Sequence, residues 1–293
     1  MFRFAYNTNG LAHHRALDAL RLVDELGYEG LALTPDVGQL DLYRLDPLEV
    51  RDVRAAAEDL GLALAVELGA RYLLDPRRKH APNLCDGDPA ERQRRVDFYR
   101  RGIDLAADLG APLVSLWAGA AAPGIRPLDA AGPLAPGDPR EATLAGLAEG
   151  LARVCRHGAA AGVTVAFEPE PGMFVERPAG YAVVRDRVAD RGERLALTLD
   201  LGHCVVTGDL PVRRIVADFG PDLAHVHLAD CPAGLHEHRM FGQGDLDLAE
   251  ALGALLRAGY RGLAAVELSR DSHRGPEAAA EALGILRRFV PIS

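Results

Sequence analysis

A closed (β/α)₈ barrel of the TIM type, forming a single domain over residues 1–293, is the fold class this sequence predicts. Three observations predict it. First, one phrase recurs: an Ala/Leu-rich amphipathic stretch, a glycine, then a short apolar run. Second, further apolar runs continue the same rhythm until eight strand–helix units are filled. Third, the glycine-rich phosphate loop usual after the first strand of an open doubly wound sheet is missing; "YNTNG" does not supply it.

The elements follow in order. "FRFAY" opens the chain as a strand. The recurring phrase then appears as "DELGYEGLALT" (24–34), "AEDLGLALAVE" (57–67), "AADLGAPLVSL" (106–116), "AAAGVTVAFE" (159–168) and "RAGYRGLAAVE" (257–267). Its glycine suits the position just past a helix, where a left-handed backbone is needed. Its apolar run suits a buried parallel strand. "RLALTLD" (194–200) and "LAHVHLAD" (223–230) complete the set of strands. Helices are predicted over 12–26, 47–60, 89–109, 140–161, 178–190, 211–218, 246–258 and 276–289. The Pro/Gly/Ala-rich segment 118–139 reads as a long loop after the fourth strand.

Composition narrows the function classes. The net charge of −9 disfavours nonspecific nucleic-acid binding, so no nucleic-acid partner is expected. Four cysteines lie far apart with no C-x-x-C spacing, the pattern of reduced thiols and not of a zinc ribbon. The start shows no signal-peptide core, and no apolar run reaches the ~18 residues of a membrane span. A cytoplasmic location without membrane association is the expectation, and a homo-oligomer is left open.

Strand alternation locates a site. In "TVAFE", Val165 and Phe167 suit the helix side, so Thr164, Ala166 and Glu168 point to the axis. The same rule turns Ala196, Thr198 and Asp200 inward, then His225 and His227, then Ala265 and Glu267. Four consecutive strands thus end in Glu168, Asp200, His227 and Glu267, on the face where barrel active sites are built. Three converging carboxylates call for a divalent cation. Three oxygen ligands and one imidazole suit one Mn²⁺, Mg²⁺, Co²⁺ or Zn²⁺ ion. Alternation also turns Glu67 and Trp117 toward the mouth. Glu67 is either a support or substrate contact or a buried ion pair, and Trp117 either a wall for a ligand or packing.

"LALTLDLGHCVVTGD" resembles the D-x-x-H element of the xylose-isomerase-like barrel superfamily, the sugar phosphate isomerase/epimerase group. "HVHLADCPAGLHEHRMFGQGDLDLAEALGALLRAGYRGLAAVEL" resembles that group's next element, and "AFEPEPG" its fifth-strand glutamate. The resemblance implies that Glu168, Asp200, His227 and Glu267 bind one divalent metal, and that His203 and Arg239 contact the sugar. It implies proton transfer beside a ketose carbonyl, through an enediolate, by Glu168 and Glu267. Glu170 competes with Glu168 in "EPEP"; Glu168, nearer the strand, is preferred.

His238 or its neighbour His236 is expected to reach the substrate from the loop after strand seven. His80, behind the basic run Arg77-Arg78-Lys79, is a candidate contact for an anionic substrate. The leading expectation is a metal-dependent isomerase or epimerase of a small keto sugar, polyol or derivative. The alternatives are a phosphodiester hydrolase like the abasic-site endonucleases and a non-catalytic metabolite-binding barrel. The endonuclease pattern needs histidines on strands two and three and an Asp-x-His pair; this chain has "LALTPD" and His236-x-His238 there.

Overall fold

The computed structural model describes residues 1–129, 132 and 134–290. Residues 130, 131 and 133 of the predicted long loop lie outside the described residues. Eight parallel strands close in chain order: β1 (Arg3–Asn7), β2 (Gly30–Leu33), β3 (Ala63–Glu67), β4 (Leu113–Leu116), β5 (Thr164–Phe167), β6 (Ala196–Asp200), β7 (Leu223–Leu228) and β8 (Leu263–Val266). β8 pairs with β1, Ala265 opposite Ala5, so the sheet has no edge.

The surrounding helices are α1 (Ala16–Leu26), α2 (Pro47–Leu60), α3 (Pro89–Leu109), α4 (Glu141–Ala161), α5 (Pro178–Ala189), α6 (Leu201–Thr207), α7 (Val212–Phe219), α8 (Leu248–Arg257) and α9 (Gly275–Leu286). The five glycines of the recurring phrase, Gly27, Gly61, Gly110, Gly162 and Gly259, all have positive φ. At Gly27, Gly61, Gly110 and Gly162 the backbone N–H groups reach back to the last helical carbonyls. α2 and α3 start on Asp46 and Asp88, whose side chains accept from Leu48 and Ala90 N–H groups, each followed by a proline.

One helix was not anticipated. α6 begins directly after β6, because Asp200 is at once the last strand residue and the helix cap, accepting from the His203 N–H at 2.9 Å. The apolar period of seven residues is too short to announce such a helix in the sequence.

Packing separates two regions. Val165, Phe167, Leu197, Leu199, Val226 and Val266 pack in the large core between strands and helices. Ala5, Ala32, Ala65, Ala166, Ala196 and Ala265, with Leu113 and Leu263, form a separate cluster on the barrel axis. The inward and outward faces therefore fall as alternation predicted. The axis is filled with alanine, which leaves room above it for larger polar side chains. One polar pair lies within it: Ser115 Oγ and Thr198 Oγ1, both buried, 2.9 Å apart.

That pair makes a stability test. Thr198→Val strands the Ser115 hydroxyl in the axis and should cost about 1–3 kcal/mol. Adding Ser115→Ala should recover most of the loss, because neither group then lacks a partner. Denaturant unfolding of both single variants and the double checks this; simply additive losses would contradict it.

Candidate active site

The C-terminal ends of the strands surround a cavity of about 340 Å³, at the small end of the ~300–1,000 Å³ common for ligand pockets. Its centre is His227 on β7. The Nδ1 atom lies 3.0 Å from both Glu168 Oε1 and Glu267 Oε2. Nε2 lies 3.0 Å from Glu67 Oε1. Glu67 Oε1 is also 2.9 Å from His225 Nε2, one inward layer below. Glu67 thus sits between two imidazoles, and with a cation at Nδ1 it would hold the proton on Nε2 of His227.

One ligand atom from each of Glu168, Asp200, His227 and Glu267 falls within 4.8 Å of the others. Asp200 Oδ2 is buried and has no hydrogen-bond partner, although Oδ1 caps α6. A buried carboxylate oxygen left unpaired is expensive unless a cation faces it. The donor set and this orphaned oxygen fit a divalent ion held by these four residues.

The proton affinities reflect the crowding. Burial, joined by Glu267, raises Asp200. Burial also raises Glu168, against the pull of His227. Burial opposes the charge on Glu267, but His227 and His238 outweigh it and hold that carboxyl low. At Glu67 the same opposition is overcome by His227 and His225, which hold it at about 2. Burial works against a charged His227; Glu67, Glu168 and Glu267 win and raise it.

A second group stands beside this one. His203 on α6 and His238 on the loop after β7 point Nε2 atoms at each other, 3.1 Å apart. Nδ1 of His203 faces the Pro169 carbonyl at 3.2 Å, and Nδ1 of His238 faces the Glu267 carbonyl at 3.1 Å. A carbonyl only accepts, so both Nδ1 atoms carry the proton and both Nε2 atoms present lone pairs. His236 Nε2 lies 3.0 and 3.3 Å from them, so three ring nitrogens meet in one gap.

The loop carrying His236 and His238 hangs on Asp230. Its buried carboxylate accepts from the backbone N–H groups of Gly242, Gly244 and Leu246 at 2.8–2.9 Å. A Cβ on residue 244 would run into Asp230 and Cys231, which explains the second glycine of "GQG".

Most of the expected contacts do line the cavity: Glu67, His80, Trp117, His203 and His238 join Glu168, His227 and Glu267. His80 meets Trp117 edge to face, with centroids 5.1 Å apart. Arg239 does not line it. Residues 230 and 239 pair as an antiparallel bridge, so this segment is extended and neighbours 238 and 239 face opposite ways. His238 turns in, and Arg239 turns out to Glu237 at 2.6 Å.

Sequence reading missed several lining groups. Asn7 and Thr34 are the inward residues at the ends of β1 and β2, joined at 2.9 Å, and the alternation rule would have found them. Asn9 donates to Glu267 Oε1 at 2.5 Å from a 3₁₀ turn that carries no periodic signal. Glu170 lines the cavity without replacing Glu168, and Arg71, Lys79 and Arg270 lie on its rim.

The family model described as xylose isomerase-like TIM barrel matches residues 20–289. The chain belongs to this xylose isomerase-like family. A 3-dehydroshikimate dehydratase of Pseudomonas aeruginosa is 27% identical over 93% of this chain, which spans only 39% of that relative's length. A fructoselysine 3-epimerase of Shigella flexneri is 23% identical, with 93% and 92% of the two chains covered. Among solved structures, the 3-keto-D-glucoside 4-epimerase of E. coli superposes with a TM-score of 0.74 at 17% identity, covering 98% of this chain and 100% of the other. That likeness shows a shared fold.

Asp230→Ala removes three hydrogen bonds to a charged acceptor. At ~1.5–3 kcal/mol for each such bond, it should cost at least about 3 kcal/mol. Limited proteolysis should then cut first within 231–246, and an unfolding loss under about 1 kcal/mol would contradict this account of the loop.

Proposed function

We propose that this family member is a divalent-metal-dependent isomerase or epimerase acting on a small keto sugar, polyol or sugar derivative. One observation carries the reading. Two glutamates from different strands, Glu168 after β5 and Glu267 after β8, flank His227 at 3.0 Å and open onto one cavity. The E. coli fold relative and the Shigella epimerase both carry names of that reaction class, which supports it.

The site divides the work. Glu168, Asp200, His227 and Glu267 would hold the ion, whose contribution when bound is Lewis-acid polarisation of neighbouring substrate oxygens. Glu67 keeps His227 in the tautomer that offers Nδ1. Glu168 and Glu267 move the proton on the carbon beside the carbonyl, giving an enediolate. Return of a proton to the opposite face epimerises; return to the neighbouring carbon isomerises. Asn9 restrains the Glu267 carboxylate. His203, His236 and His238 meet the sugar hydroxyls from one side, and Trp117 with His80 forms the other wall.

A ketose panel in D₂O tests the reading. Deuterium should enter at the carbon beside the carbonyl, stop when a chelator removes metal, and return with Mn²⁺. Glu168→Gln and Glu267→Gln should each slow exchange by at least ~10²-fold. Near-normal exchange in either variant would remove that residue from its role, and no exchange with any ketose would remove the isomerase reading.

The three-histidine group favours a second reading, metal-dependent hydrolysis, because its three side chains offer nitrogen ligands close together. Ion content separates the two: one bound ion per chain supports the isomerase, two or three the hydrolase.

A further inference from the structure

The cavity has two unlike walls. The β5–β8 side carries Glu168, His227 and Glu267, with Glu170 beside them. The opposite side is built from the β3–α3 segment: Gly69, Arg71, Lys79 and His80, with Trp117. This segment is folded back on itself. The His80 N–H donates to the Arg71 carbonyl at 2.7 Å, and His80 Nδ1 meets the Gly69 carbonyl at 3.0 Å. The closure brings Arg71 and Lys79, eight positions apart in the chain, to one stretch of rim.

Neither cation sits in an ion pair, although the charge of Lys79 is felt by Glu170 on the facing side. Among the described residues, no carboxylate lies within 4.0 Å of Arg71 or Lys79. The contrast with near neighbours is direct: Arg78 pairs with Asp75 at 2.6 Å, and Arg94 with Glu91 at 2.9 Å.

A third positive charge backs the wall. Arg95 on α3 is fully buried, 0% exposed, and has no carboxylate partner among the described residues. Its Nη2 lies 3.3 Å from the carbonyl of Gly69, a lining residue. Its guanidinium stacks against Tyr99 and Phe98 and stands 5.7 Å from the Trp117 ring, a second lining residue. Nε and Nη1 of Arg95, and Nε1 of Trp117, are buried donors without partners. A buried arginine whose charge meets only rings and carbonyls leaves its field uncancelled in a medium that screens poorly.

We propose that this wall is an anion subsite, and that the substrate of the isomerase site carries a carboxylate or phosphate on the end remote from the reacting carbonyl. Arg71 and Lys79 contact the anion directly, and Arg95 raises the potential behind them. The acidic wall repels the same group, so the two walls fix one orientation of the substrate. The proposal rests on the isomerase reading for which end reacts. It does not rest on it for the anion itself.

The test compares fructose, fructose bearing a terminal phosphate, and ketogluconate, titrated calorimetrically into the full chain with Mn²⁺ present. At least one anionic probe should bind at least about tenfold more tightly than fructose, with the advantage shrinking as salt is raised. Whether the phosphate or the carboxylate gains more identifies the anion. Arg71→Gln combined with Lys79→Gln should remove most of that advantage, and Arg71→Lys should keep part of it. Unchanged thermal midpoints show that the variants are folded.

Equal binding of fructose and both anionic probes would overturn the proposal. So would a double variant that weakens all three probes alike, since the cations would then serve only to offset the carboxylates of the floor. Deuterium exchange is read on the same samples. Tight anion binding without exchange keeps the subsite and removes the isomerase reading; exchange on fructose without anion preference does the reverse.

Discussion

Everything at the mouth of this barrel answers to one constraint: buried carboxylates converging on a single imidazole. Glu67, Glu168 and Asp200 are 5% exposed or less, and His227 is 2% exposed between them. Carboxylates packed this closely cannot all remain charged and unpaired, because the interior screens poorly. Positive charge must lie among them, as a proton on His227 or as a metal ion. Asp200 carries the cost of this packing: burial raises its carboxyl, and its Oδ2 has no hydrogen-bond partner. Such a site is costly to the fold, and that cost is the clearest sign of function in the molecule.

The barrel meets the constraint by sorting residues in layers. Alanines on the axis take little space, so His225 fits below and holds Glu67 from beneath. Glu67 then fixes His227, and His227 faces Glu168 and Glu267. The chain of contacts runs along rigid strands, where a side chain's direction is set by the backbone. Substituting Glu67 would therefore act on His227. Asp200 joins this layer to the next element, since ending β6 and capping α6 are done by the same carboxylate. His203 is placed by that cap.

This sorting also decides what could be read from sequence. Strand positions obey a period of two, so Glu168, Asp200, His227 and Glu267 were legible once Val165, Phe167, Leu197, Leu199 and Val226 marked the outer face. Asn7 and Thr34 were legible by the same rule. Loop positions obey no period. His236 and His238 are aimed by Asp230 and a glycine turn, contacts made across as many as 16 residues. Arg239 shows the limit: its spacing resembles that of a sugar contact, but an antiparallel bridge sends its side chain outward. Arg71 reaches the rim because His80 closes the segment between them, a hydrogen bond with no trace in local sequence.

Rigidity and variability are therefore divided between the two walls. The acidic wall is made of strand ends paired to their neighbours. The cationic wall is made of a loop whose charges do not touch the four ligand residues. A change there leaves Glu168, Asp200, His227 and Glu267 in place. The polarity across the cavity follows from this division: Glu168 and Glu267 sit at strand ends, and Arg71 and Lys79 sit on the loop after β3. A ligand with one anionic end and one carbonyl end would match that polarity in a single direction, with the anionic end at Arg71 and Lys79 and the carbonyl end toward Glu168 and Glu267.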